Sequence, residues 1–375
     1  MAAASMSRRS PDFSPSSRSY CRGRAKGNRR VLFHRLTASA FAGWGAASVL
    51  GKYRAYAIIL CCPDSCAQAA GIQLLDSDPN LAGAIWYPCA AEPRRVPLGS
   101  LAVQFVDSLQ GVKDCPVTGT KLPLVIVSHG RGGWFGGHDD VVEALAEAGF
   151  VVAAINHPGD NGSDSSKRDS LSVLASRPAD MIGLLDFMLN DWKDRAAIDH
   201  AKIGFFGFSA GAYTGLVLAG GNPDFRRIAP YCTESNKSLG CEQFRSGDIP
   251  SNPPHEPRIR AAVLADTALN YMFTPEALAA VEIPLLIWRS ELGGGGVDPK
   301  NSALTANSLP GKPDIHVVPA GHFAFLPPCS PQFAANLPRF CTDPPGFDRT
   351  AFHCDFDASV VGFFRDHLVG EGETR

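Results

Sequence analysis

The chain has 375 residues, 45% hydrophobic and 19% charged, which is ample for a large packed core and too apolar for a disordered chain. Its formal net charge of −2 is unevenly spread: residues 1–69 hold 11 Lys and Arg against two acids, leaving a remainder of 24 basic and 35 acidic residues. That remainder, near −11, argues against nucleic acid or an anionic membrane surface as the partner.

The N-terminal stretch is Ser- and Arg-rich, with Arg8, Arg9, Arg18, Arg22, Arg24, Lys26, Arg29 and Arg30 facing only Asp12. Without apolar periodicity it reads as unstructured. Two weakly apolar stretches, 36–50 and 55–62, follow, and then Cys66-Ala67-Gln68-Ala69-Ala70. A basic region, an apolar region and a small-residue site in that order resemble an export signal, and Arg29-Arg30 hints at the twin-arginine kind. Neither apolar stretch reaches the roughly 20 residues of a membrane span. The expectation is a basic leader over 1–69 and an exported domain, periplasmic or secreted, over 70–372, with no stable membrane span.

Seven cysteines lie beyond residue 69, at spacings unlike C-x-x-C metal or redox motifs. Cys89 with Cys115, Cys232 with Cys241 and Cys329 with Cys341 would each close a local loop and leave Cys354 as a free thiol.

Strands are expected over 72–75 and 82–87, then a connection over 93–121. The continuous apolar run 122–127 has the form of a central parallel strand. It empties into Ser128-His129-Gly130-Arg131-Gly132-Gly133. A helix over 139–148, a buried strand over 150–155 and the loop His157-Pro158-Gly159 come next, and then a helix over 178–189 beginning at Pro178. A strand, tight turn and helix span 203–219. Later strands fall at 260–264, 284–288 and 315–318, with a closing helix over 356–368. Strands alternating with helices over some 300 residues give an α/β fold, a doubly wound, mostly parallel sheet. The Pro-, Gly-, Ser- and Asn-rich stretch 220–257 is long for a connection and is expected to be a lid-like insertion.

The turn at the centre of this pattern is Gly207-Phe208-Ser209-Ala210-Gly211. Its G-x-S-x-G spacing matches a nucleophile elbow, in which a serine sits on a strained strand-to-helix turn. A hydroxyl is a weak nucleophile and needs a base, a group to orient that base, and donors for the oxyanion. His322, in a loop just past the last strand, is the expected base. The N–H groups of Arg131 and Ala210 are the expected oxyanion donors. For the acid, Asp266 follows the strand 260–264, whereas Glu291 and Asp298 lie in the loop after 284–288; all three are candidates. No metal or organic cofactor is implied, because the neighbouring base makes the nucleophile.

The order glycine loop, serine elbow, acid and histidine is that of the α/β-hydrolases. The segments Val127-Ser128-His129-Gly130, Val152 to Gly159, Gly207 to Gly211 and Gly321-His322-Phe323-Ala324-Phe325-Leu326 resemble the dienelactone-hydrolase-like group related to platelet-activating-factor acetylhydrolases. The resemblance covers roughly 72–370. It implies an esterase acting on a small-molecule ester and, because acetylhydrolases of this type carry their acid after the earlier strand, puts Asp266 ahead of Asp298 and Glu291. True dienelactone hydrolases have a cysteine in the elbow, so Ser209 points to a serine carboxylesterase instead. A non-catalytic binding protein on the same fold, or a peptidase or acyltransferase, is the alternative reading. Oligomeric state is not encoded in any motif.

Overall fold

The computed structural model describes residues 69–370, so the leader expected over 1–69 lies, but for its last residue, outside the described residues. Ten strands form one sheet: β1 Ala69–Leu75, β2 Gly83–Cys89, β3 Arg94–Pro97, β4 Ser108–Lys113, β5 Leu122–Ser128, β6 Val151–Ile155, β7 Ile198–Phe208, β8 Ala261–Ala265, β9 Leu285–Ser290 and β10 Asp314–Val318. The spatial order is β10-β9-β8-β7-β5-β6-β2-β1-β4-β3. From β6 to β10 every pairing is parallel, whereas β2 joins β6 antiparallel. This is the expected mostly parallel α/β sheet, and β5, β6 and β8 are buried along their whole length because helices cover both faces. The connection expected over 93–121 contains the short antiparallel pair β3–β4, whose polar residues give little periodic signal.

Helices α1 Asp139–Glu147, α2 Leu171–Asn190, α3 Ala210–Leu218, α4 Leu239–Ser246, α5 Pro299–Ser308, α6 Pro331–Asn336 and α7 Arg349–Phe364 flank the sheet. Two starts differ from expectation. Helix α2 begins seven residues before Pro178, because Ser170 caps it by accepting from Val173 N, and Pro178 lies inside the helix. Helix α7 likewise begins at Arg349, with the Asp348 side chain accepting from Ala351 N.

The stretch 220–257 is ordered by the 3-10 turn Phe225–Tyr231 and by α4. Disulfide Cys232–Cys241 closes it, and Gly240 N donates to Asp169 O just ahead of α2. Cys89–Cys115 and Cys329–Cys341 are the other expected disulfides. Cys354 is also disulfide-bonded, so the expected free thiol is incorrect. Proximity in sequence could assign only the cysteines that close short loops. Among the described residues no helix is long and apolar enough to cross a membrane.

Candidate active site

Strand β7 ends in the turn that carries Ser209, at φ 57° and ψ −115°, a conformation that a non-glycine residue holds only when its surroundings impose it. The flanking glycines explain how this is possible. A Cβ on Gly207 would lie 2.3 Å from Gly211 O, and one on Gly211 would lie 1.9 Å from Ser128 O. Strand, helix and the end of β5 therefore meet at a distance that only glycine allows. Ser209 N donates to Ala265 O at 2.9 Å, tying the elbow to the end of β8.

One residue further along, Asp266 sits at φ 45° and is fully buried. Its Oδ1 accepts from Ser290 N at 2.7 Å, and its Oδ2 accepts from Ser290 Oγ at 2.8 Å and from His322 Nδ1 at 2.6 Å. His322 Nε2 lies 3.0 Å from Ser209 Oγ. With Nδ1–H donated to the carboxylate, Nε2 is left to accept the serine proton, which is the arrangement of a base-activated nucleophile. Phe208 stacks on the imidazole at 4.7 Å between centroids and fixes its plane.

The structure thus brings Ser209, His322 and Asp266 into one hydrogen-bonded row and leaves the other two acids outside it. Asp298 caps α5, accepting from Lys300 N at 2.8 Å and Asn301 N at 3.0 Å. Glu291 is exposed, and its N–H goes to Val318 O. The glycines between them have another task. His322 N donates to Gly293 O at 2.8 Å, and a Cβ on Gly295 would lie 2.4 Å from His322 Cδ2. That loop wraps the edge of the imidazole, and a side chain at Gly295 would strike it.

The turn after β5 passes beside the elbow, since a Cβ on Gly130 would be 3.2 Å from Ser209 Cβ. Neither the Arg131 nor the Ala210 N–H is used in a hydrogen bond among the described residues, so both are available to an oxyanion.

A buried network behind the turn sets its shape. Arg177, fully buried, donates to Asp160 Oδ2 at 2.8 Å, to Ser128 Oγ at 3.3 Å and to His129 O. Asp160 Oδ1 in turn accepts from Gly132 N at 2.9 Å. His129 donates from Nδ1 to Gly130 O and accepts the His157 N–H at Nε2. Burial, reinforced for both by Arg177 nearby, pushes the two histidines well below the usual imidazole pKa, so they are neutral at pH 7. His157 also bridges Ser128 Oγ at 2.8 Å and Asp180 at 2.9 Å, a second Ser-His-Asp row. Ser128 and His157 are both fully buried and enclosed by Arg177, so this row holds the loop rather than meeting a substrate. Burial raises the Asp180 pKa to about 6.

A family model described as the alpha/beta hydrolase fold matches residues 123–240. A solved structure, "Ferulic acid esterase from Streptomyces cinnamoneus", superposes with a TM-score of 0.55 at 20% identity, over 82% of this chain and 92% of that one. The fold is that of the α/β-hydrolases. Comparison of the sequence with curated proteins finds no match.

In this α/β-hydrolase fold the three row-forming residues follow β7, β8 and β10, all at one edge of the parallel sheet where ligands of open α/β sheets bind. Sequence reasoning missed Ser290, which grips the Asp266 carboxylate, and the Arg177–Asp160 pair. Neither has a local pattern, because their partners lie 24 and 17 residues away. It also missed a run of half-buried rings leading from His322: Phe323, Phe340, Phe333 and Phe105 make successive edge or tilted contacts at 4.7, 6.2 and 6.4 Å.

Arg177→Met should destabilise the fold by about 3–5 kcal/mol, because it strands the Asp160 carboxylate in the interior with only the Gly132 N–H and a 3.6 Å contact to Arg168. Urea unfolding of wild type and variant measures the difference. A loss below about 1 kcal/mol, the range of an exposed pair, would contradict this account of the network.

Proposed function

We propose that the chain is a serine hydrolase that cleaves carboxylic esters through an acyl-enzyme, akin to the dienelactone-hydrolase-like and acetylhydrolase group. The observation that carries this reading is the unbroken hydrogen-bond row from Ser209 Oγ through His322 to Asp266 at the elbow. Ser209 Oγ attacks the ester carbonyl as His322 Nε2 takes its proton. The oxyanion that forms is held by the N–H groups of Ala210 and Arg131, next to the N-terminus of α3. Asp266 keeps Nδ1–H in place and stabilises the imidazolium. His322 then returns the proton to the departing alcohol, and water attacking the acyl-enzyme repeats the cycle in reverse order.

The ferulic acid esterase with the same fold belongs to the same class of chemistry, which supports an ester over an amide substrate. The rings from Phe323 to Phe105 favour an ester with an apolar or aromatic portion. The insertion 220–257 acts as a lid anchored by Cys232–Cys241, and the described disulfides fit an exported, oxidising location.

A fluorophosphonate probe should label Ser209 in one-to-one stoichiometry, read by peptide mass spectrometry. In a p-nitrophenyl ester panel, butyrate and benzoate should be turned over at higher kcat/KM than acetate. Absence of both labelling and ester turnover would refute the reading. Labelling with acetate as the best substrate would refute only the apolar preference.

A further inference from the structure

Away from the row described above, α1 and α7 bring together a cluster that no catalytic role uses. Asp140 comes from the first turn of α1, while His353 and Asp357 stand four residues apart on one face of α7. One donor atom from each lies within 4.8 Å of the others, which makes this a metal-ligating constellation among the described residues. His353 Nδ1 meets Asp140 Oδ2 at 2.5 Å. Its other nitrogen donates to Ala324 O at 2.9 Å. An imidazole whose far N–H is donated to a backbone carbonyl is oriented as metal-ligating histidines are.

A second, independent observation points to a missing partner. The Oδ1 of Asp357 is closed off from solvent and has no hydrogen-bond partner among the described residues. An enclosed carboxylate oxygen left unpaired carries its full desolvation cost. Asp140 and Asp357 bring two carboxylates to the same small volume. His353 is the nearest described cation, and it is already paired with Asp140. Among the described residues Arg349 is engaged with Asp343.

We propose that Asp140, His353 and Asp357 bind one divalent first-row metal ion, with Zn2+ the best match to one imidazole and two carboxylates. Bonds of about 2.0–2.2 Å need only sub-ångström closure of the three side chains. Asp357 is half-buried as a whole residue, so water can complete the coordination from its open side. On binding, the ion takes the place of the proton shared between His353 Nδ1 and Asp140, and that proton leaves to solvent. The ion ties the start of α1 to α7. Through His353 and Ala324 O it also stiffens the 3-10 turn His322–Phe325 that carries the proposed base. Its role is structural, and the proposal does not depend on the ester-hydrolase reading.

The test uses full-length protein stripped with a chelator and then titrated calorimetrically with ZnCl2, MnCl2 or CaCl2, with melting followed in parallel. Wild type should bind one equivalent of Zn2+ in preference to Ca2+, with a rise in Tm of several degrees. Asp357→Asn relieves the carboxylate crowding, so its metal-free Tm should equal or exceed that of wild type. It should nevertheless bind Zn2+ at least tenfold more weakly and lose the thermal response. His353→Gln should lose the response as well. The proposal is overturned if wild type shows no saturable binding of any of the three ions, or if both variants bind Zn2+ as wild type does, which would place the ion elsewhere.

Discussion

Ser209→Ala is expected to reduce ester turnover by roughly five to six orders of magnitude while the protein stays folded. The estimate follows from the geometry of the row. Without Oγ, His322 has no hydroxyl to deprotonate, and the remaining groups can only polarise the carbonyl and hold the substrate. Donors for the oxyanion and binding alone retain about 10³–10⁴ over the uncatalysed reaction. Folding should be spared, because the substitution removes one oxygen and leaves the backbone bonds from Ser209 N to Ala265 O and from Ala268 N to Ser209 O. The measurement is kcat on a p-nitrophenyl ester beside a urea unfolding curve. Turnover within tenfold of wild type in a protein of unchanged stability would remove Ser209 as the nucleophile.

Asp266→Asn should cost about 10⁴ in kcat with KM little changed. The carboxylate accepts three hydrogen bonds, two from Ser290 and one from His322 Nδ1. An amide has one acceptor oxygen and one donor nitrogen in the same space. If the oxygen faces Ser290 N, the NH2 group points at His322 Nδ1 and forces the proton onto Nε2, where it can no longer accept from Ser209. If the amide is reversed, its NH2 meets the Ser290 N–H and the buried site loses a bond. The clash of two donors disfavours the reversed form, and the first orientation disables the base without altering the surface that meets the substrate, which is why kcat takes the loss. Two comparison variants separate this from a general effect of removing acids. Asp298→Ala should lose about 1 kcal/mol of stability as a helix cap and keep its activity within a few-fold, and Glu291→Ala should change neither. If Asp266→Asn stays within tenfold of wild type while either of the others collapses, the acid has been misassigned.

The sequence by itself determined the parts of this protein whose causes are local. The apolar runs of β5 and β6 announce buried parallel strands. The pair Gly207 and Gly211 announces the elbow, because contacts at 2.3 and 1.9 Å forbid a Cβ there. Three cysteine pairs were legible because each closes a short loop, whereas the bonding of Cys354 was not. The helix start at Ser170 was overlooked because Pro178 gave the more familiar signal. Only the tertiary structure puts one of the three acids, Asp266, within hydrogen-bond distance of His322. The choice depends on β8, β9 and β10 lying side by side, so that Asp266, Ser290 and His322 meet across 24 and 56 residues of chain. The Arg177–Asp160 network and the Asp140–His353–Asp357 cluster were likewise invisible, the latter joining residues 213 apart. Turn and strand patterns are written by steric exclusion between near neighbours, and one sequence displays them. Buried charge pairing is set by which helices pack together, and that appears only once the chain has folded.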